Sequence, residues 1–320
     1  MTTFKEIRGT AIESVSSDPS NPEVGQIWYN NTIGVLKGYQ LVADAWAAGG
    51  NLGTARGILA GAGTQTAAVG FGGYTLPGNV TTNATEKYDG TTWSPSGNMS
   101  NTRRNLAGAG TQTAALGFGG FPPNTGVTEE YNGSTWGPGG TMSTARRNLA
   151  GAGTQTAGLG FGGYTTSQVN NTEEYDGSTW TAGGNLNTTR ELLGGAGTQT
   201  AGLGFGGSPY SAVTEAYNGT SWTSVTSMNT ARQRLAGAGL QTSALAFAGK
   251  TSSPTFSVAT ELYNGTSWVT SANMALGRAY LGGCGVQTSA LAFGSWNTPP
   301  GASTEEFTSG TFATKKITTS

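Results

Sequence analysis

Six arginines and six glutamates recur in this chain at fixed places. Arg56, Arg103, Arg146, Arg190, Arg232 and Arg278 each lie five residues before the first glycine of a Gly-x-Gly element. Glu86, Glu129, Glu173, Glu215, Glu261 and Glu305 each precede an aromatic residue by two. Such arginines could bind anions, because the guanidinium fork matches carboxylates and phosphates. Such glutamates could supply the carboxylate pair of a glycosidase. A reaction needs one asymmetric centre, however, and these residues come six times over. Recurrence favours an architectural Arg–Glu pair in every repeat, with no catalytic residue among the twelve.

Other chemistry fails on residue types. There is no histidine and one cysteine, which excludes a Ser-His-Asp triad, a tetrahedral zinc site and an intrachain disulfide. No metal and no cofactor are expected. Cys284 takes a slot held by alanine in most copies and reads as a small core residue. Gly249-Lys250-Thr251 hints at a phosphate loop, but the required first glycine falls on Ala244 and no strand–helix unit surrounds it. Gly158-Leu-Gly-Phe-Gly-Gly lacks a helix too, so it is no dinucleotide fingerprint.

The elements that hold these residues follow from a repeat. Gly-x-Gly begins at Gly61, Gly108, Gly151, Gly195, Gly237 and Gly283, a period of 42 to 47 residues. After it come Gln-Thr, an alternating apolar stretch, a Gly-Gly doublet in most copies, a variable loop, Thr-Glu-x-aromatic and an aromatic, usually Trp. The glutamines are Gln65, Gln112, Gln155, Gln199, Gln241 and Gln287, placed to satisfy backbone groups between repeats. Ala114, Leu116 and Phe118 alternate with smaller residues, a period of two that marks a strand. Asp89-Gly90, Asn132-Gly133, Asp176-Gly177, Asn218-Gly219 and Asn264-Gly265 predict type I′ hairpin turns.

Each copy therefore reads as four short antiparallel strands, and four strands per repeat of this length make a propeller blade. The fold class is all-β, a β-propeller. Gly-Ala-Gly-Thr-Gln reads as the innermost strand, where blades crowd and larger side chains would not fit. Six copies carry this strand, which favours six blades. The segment 41–50, LVADAWAAGG, would then close the blade begun near Cys284. The alternative is a seventh, composite blade from residues 26–47 and the C-terminus, since Phe312 can be counted as a seventh outer-strand aromatic.

In copy three Arg146, Gly162-Gly163, Glu173, Tyr175, Asp176, Trp180 and Leu186 fall in an order that resembles the kelch repeat. The resemblance covers about residues 50–312. It departs in a short Tyr-to-Trp spacing and in doublets that decay to Ala248-Gly249 and Gly294-Ser295. It implies kelch-like four-stranded blades and no particular chemistry. Tyr175-Asp-Gly-Ser-Thr-Trp180 is also similar to the sialidase Asp box, but Asp and Gly are adjacent and the Trp is one residue early.

The variable loops, at 74–84, 121–127, 164–171, 208–213, 250–259 and 295–303, each hold an aromatic: Tyr74, Phe121, Tyr164, Tyr210, Phe256 and Trp296. Aromatics beside Ser, Thr and Asn suit sugar or protein recognition; the plainer reading is that each covers its own blade edge. Arg104, Arg147, Glu130, Glu174 and Glu191 are charges outside the sixfold set and would have to line any enzymatic pocket.

Residues 18–38 differ from the repeat: a turn-rich Asp-Pro-Ser-Asn-Pro precedes GQIWYNNTIGVLKG, which predicts a small hairpin. That stretch resembles a segment of bacteriophage virion proteins, especially tail fibres and other appendages, and the Gly/Thr/Asn-rich repeats resemble those of marine phage structural proteins. This divides the chain into an attachment segment (1–25), a hairpin and ring-closing strand (26–48) and a propeller (49–320). Net charge is −1, against nucleic acid as a partner. No run of 18 apolar residues could span a membrane. The start MTTFKEIRGTAIES lacks the apolar core of a secretory signal.

The expected function is a non-enzymatic structural protein of a virion assembled in the host cytoplasm: a tail fibre, decoration or receptor-binding component. It would meet other virion proteins and offer its loops to a host surface glycan or receptor. The alternatives are a sialidase-like glycan-processing enzyme and a cellular kelch-type interaction module.

Overall fold

The computed structural model describes residues 12–75, 77–252, 256–296 and 301–317. Among them there is no helix, and every regular element is a strand. Residues 1–11 of the expected attachment segment lie outside the described residues, as do parts of three variable loops. The chain forms two compact units, Ala45–Thr308 and Met1–Asp44 with Ser309–Ser320.

In the first unit every repeat folds into a four-stranded antiparallel sheet. Blade 3 is representative, with strands Ala150–Gly153, Gly158–Phe161, Thr172–Tyr175 and Trp180–Ala182 in that order. The innermost strands of blades 1 to 6 are Ala60–Gly63, Ala107–Thr111, Ala150–Gly153, Gly194–Gly197, Ala236–Leu240 and Gly282–Val286. Each packs against the next, and the sixth packs back on the first. Blade 6 takes its outer strand from the other end of the propeller sequence: Ala45–Gly49 pairs antiparallel with Thr304–Thr308, setting Trp46 opposite Phe307.

Ring closure is written in hydrogen bonds. One residue before each inner strand's leucine, the amide of Ile58 donates to Tyr280 O, Tyr280 to Arg234, Arg234 to Leu192, Leu192 to Asn148, Asn148 to Asn105, and Asn105 to Ile58. Six bonds return to their starting residue. All six residues are left-handed, with φ between 55° and 61°. Asn tolerates that conformation, whereas a β-branched Ile is a true outlier there.

Small residues are needed at the centre for a specific reason. A Cβ on Gly108 would lie 2.7 Å from Gly61 O and 2.9 Å from the ring of Phe71, both in the preceding blade. Gly151 meets Gly108 O and Phe118 in the same way. Neighbouring blades are thus in backbone-to-backbone contact along the axis.

The core lies between blades. Six apolar clusters each join two neighbours; one unites Ala60, Val69 and Phe71 of blade 1 with Ala115, Tyr131 and Trp136 of blade 2. In every interface a second-strand Phe stacks on the next blade's Trp, as in Phe118–Trp180 at 4.9 Å and Phe247–Trp46 at 5.2 Å. The Trp indole N–H donates back to a threonine of the preceding blade: Trp136 to Thr85, Trp180 to Thr128, Trp222 to Thr172, Trp268 to Thr214, Trp46 to Thr260, and Trp93 to Thr304, all at 2.9–3.1 Å. The glutamines cross the same interfaces: Gln112 Nε2 donates to Ala68 O (3.0 Å) and Tyr88 O (2.6 Å).

The expected type I′ turns do not form. Gly90, Gly133, Gly177, Gly219 and Gly265 have positive φ, but the preceding Asp or Asn does not, and type I′ requires both. Instead the Asx side chain closes a four-residue loop. Asp176 Oδ1 accepts from the amides of Ser178 (2.8 Å) and Thr179 (2.7 Å). Asn132, Asn218 and Asn264 do the same. A carbonyl-type oxygen suffices for this turn, so Asp and Asn interchange.

The second unit is one four-stranded sheet. Glu13–Val15 pairs parallel with Ile27–Asn30, which makes the expected hairpin with Val35–Leu41. Phe312–Lys316 pairs antiparallel with Val35–Leu41. This corrects two expectations. Phe312 is not an outer-strand aromatic of the ring, and the propeller span ends at Thr308 rather than at residue 320. Asp18 organises the sheet, accepting from Trp28 Nε1 (3.1 Å), Asn30 Nδ2 (2.9 Å) and Lys37 Nζ (2.5 Å). These donors hold its carboxyl at about 2, below the usual value.

Candidate functional site: the loop face and axial mouth

The six arginines and six glutamates meet one to one inside their blades. The distances are 2.7 Å for Arg56–Glu86, 2.9 Å for Arg103–Glu129, 3.3 Å for Arg146–Glu173, and 2.9 Å for both Arg190–Glu215 and Arg232–Glu261; Arg278–Glu305 is paired likewise. All twelve are buried. Arg103 also donates to the carbonyls of Gly119 and Val127, while Glu129 Oε2 accepts from the Ser100 amide. Each pair therefore bolts the connection entering a blade to that blade's second and third strands. Burial pushes the guanidinium pKa down and the facing carboxylate pushes it back up. With both partners buried, no open face is left for a ligand.

Glu130 and Glu174 are also committed elsewhere. They accept from the hydroxyls of Tyr175 (2.6 Å) and Tyr217 (2.5 Å) across blade interfaces. Cys284 is buried in the interface of blades 6 and 1, and burial pushes its thiol up to about 12.

The asymmetric groups lie on one face, where the variable loops and the inter-blade connections converge. Four of the six loop aromatics occupy one equivalent place, directly after the glycine doublet or its counterpart: Tyr74, Phe121, Tyr164 and Trp296. Ser208 and Lys250 hold that place in blades 4 and 5, so Tyr210 and Phe256 lie elsewhere in their loops. The four interleave with arginines. Tyr280 lies 6.4 Å from Trp296, and Trp296 lies 5.1 Å from Tyr74. Arg104 stacks over Tyr74 (4.6 Å) and Phe121 (5.1 Å). Arg147 stacks over Phe121 (4.9 Å) and Tyr164 (4.6 Å), and Arg234 over Tyr280 (4.6 Å). Eight residues thus form one unbroken arc from Arg234 to Tyr164.

Strand pairing sets the spacing of this arc. The residue after the doublet bridges to the residue after the buried arginine, as in Arg104–Phe121 and Arg147–Tyr164. The buried Arg–Glu pair therefore positions the half-buried Arg–aromatic stack beside it. Arg104 is further held by Thr81 Oγ1 (2.7 Å) and Arg147 by Asn124 Oδ1 (2.9 Å).

Inside the arc is a mouth on the propeller axis. Ile58, Asn105, Asn148, Leu192, Arg234 and Tyr280 line a cavity of about 90 Å³. Its floor is a ring of buried leucines: Leu59, Leu106, Leu149, Leu193, Leu235 and Leu281. The same leucines bound a second cavity of about 110 Å³ further along the axis, lined by small inner-strand residues. At the rim Asn105 Nδ2 donates to Asn148 Oδ1 (2.5 Å), and Asn148 Nδ2 donates to Glu191 Oε2 (2.6 Å). Burial raises the Tyr280 hydroxyl pKa; Arg234 and Arg147 pull it down and Glu191 pushes it up, so these charges face the same ring.

The sequence reading passed over this mouth, although a signal exists. Position two after each buried arginine reads Ile, Asn, Asn, Leu, Arg, Tyr, while the next position is leucine in all six copies. A place that varies inside an otherwise constant frame marks the residues free to meet a ligand.

No protein-family model matches this chain, and no curated protein matches it.

Proposed function

We propose that this protein is a kelch-like propeller of a bacteriophage particle, a fibre, decoration or receptor-binding component without catalytic activity. Its loop face binds a host surface glycan. The observation that carries the reading is the eight-residue arc, in which aromatic faces and guanidinium groups break the sixfold pattern on one face. Aromatic planes stack on sugar rings, and Arg, Asn and Thr supply hydrogen bonds to hydroxyls. The repeat order supports the kelch assignment. The 18–38 stretch, with its own sheet, supports a role in attachment to other virion proteins.

A glycan array probed with the full chain and with the Tyr74→Ala/Trp296→Ala double variant tests the reading. A discrete glycan set is expected, with binding that falls at least about tenfold in the variant. No glycan bound, or unchanged binding in the variant, would overturn it. A glycan-processing reading draws on Tyr280 facing the Glu191 and Arg147 charges. It requires turnover of a fluorogenic glycoside that Glu191→Gln abolishes.

A further inference from the structure

Net charge is −1 over the chain, yet the loop face is locally cationic. Arg104, Arg147 and Arg234 form no ion pair among the described residues. Glu191 is the carboxylate bonded into the rim, and Asn148 holds it. Arg234 stands apart even from the other two arginines. Its side chain makes no hydrogen bond among the described residues, and its Nε is buried without a partner. Its guanidinium contact is the face of Tyr280. Every fully buried arginine among the described residues is matched by a glutamate, whereas Arg234 as a whole is half-buried. Arg234 lines a cavity instead.

From this juxtaposition we infer that the axial mouth receives the oxyanion of an acidic sugar, a carboxylate or sulfate ester, on the guanidinium of Arg234. The inference rests on the glycan reading above and specifies its ligand class. A planar guanidinium whose face is already stacked on an aromatic ring offers its edge as a fork, and that edge matches two oxygens of a carboxylate or sulfate. The cavity is closed beneath by apolar leucines, which lowers the local dielectric and strengthens a charge-assisted bond. Around the axis Asn105 lies three blades from Arg234, so an amide acceptor faces the cation and can take a sugar hydroxyl. At about 90 Å³ the cavity admits a single charged substituent. The sugar ring stays outside it, against Tyr280 and Trp296.

The test titrates the full chain with glucuronate, glucose 6-sulfate, glucose and sodium sulfate, followed by calorimetry and by backbone amide shifts of Asn105, Arg234 and Tyr280. One or both acidic sugars should bind at least about tenfold more tightly than glucose, with shifts at those three residues. Arg234→Gln should reduce the acidic sugar to the level of glucose, and Arg234→Lys should keep part of the preference. Circular dichroism and the unshifted amides of the inner strands report that the ring is intact. The glucuronate and sulfate-ester arms tell the two oxyanions apart. Equal binding of acidic and neutral sugars, or a preference that survives Arg234→Gln, would overturn the inference while leaving the glycan reading in place. Sodium sulfate binding as tightly as glucose 6-sulfate would overturn it in favour of a free-ion site. Absence of binding by any sugar, here and on the array, would remove both.

Discussion

Single residues in this protein are tuned by backbone conformation as much as by contact. Gly72, Gly119, Gly162, Gly206 and Gly294 are left-handed, at φ 64–69°, and Ala248 holds the same place at φ 60°. Its Cβ carries a left-handed cost of roughly 1–2 kcal/mol that glycine avoids. Ala248→Gly is therefore expected to stabilise the protein by about 1 kcal/mol, read from urea denaturation; a destabilised variant would contradict this. The Asx turns give a pH test with a built-in control. Hydrogen bonds from Thr91 and Thr92 hold the Asp89 carboxyl at about 2, and the amide and hydroxyl of Thr179 and Ser178 lower that of Asp176 further. A depressed folded-state pKa means stability that is present above about pH 4 and is lost as pH falls towards 2. Asp89→Asn/Asp176→Asn should flatten the acid limb of thermal stability between pH 4 and 2, since Asn makes the same turn in three blades. The turn residues themselves were legible in the sequence, but their conformation was not. A side-chain oxygen that substitutes for a backbone acceptor leaves no trace in an Asp-Gly pair.

At the scale of the blade, the sequence announced the strands through alternation and the fourfold order of motifs. It did not announce what joins them across interfaces. The Trp-to-Thr bonds couple residues about 50 positions apart, and a threonine before Glu-x-Tyr looks like an ordinary strand residue. The Arg–Glu pair is the element's central brace. Arg190→Met leaves Glu215 buried without its partner and removes donors to Gly206 O and Val213 O. The expected loss is about 3–5 kcal/mol by chemical denaturation; a loss below about 1 kcal/mol would show that the pair is not a brace. The interface tyrosines set the alkaline limit. Burial, then bonds to Glu306, Glu130 and Glu174, pushes Tyr88, Tyr175 and Tyr217 up to about 12. A raised pKa means stability that is complete below about pH 10 and lost as pH rises through 12. Tyr175→Phe/Tyr217→Phe should weaken that alkaline loss in a pH series of thermal melts.

At the largest scale, the unit Ala45–Thr308 is a sixfold frame with one irregular face. Closure was readable from the spare Trp46, because an unpaired outer strand at the start of the repeats has one vacant place to go. The separate N-terminal sheet was half readable: its hairpin showed in GQIWYNNTIGVLKG, but recruitment of Phe312–Lys316 depends on a long-range pairing that no local pattern encodes. The irregular face was legible as loop aromatics and missed as a mouth, since attention to motifs favours what repeats. Amide mapping of the full chain with a glycan selected from the array tests the division between frame and face most directly. Shifts confined to the loop face are expected, centred on Tyr280, Trp296, Tyr74 and Arg104. Shifts centred on the opposite face, at the Thr-Gln-Thr turns, would contradict it.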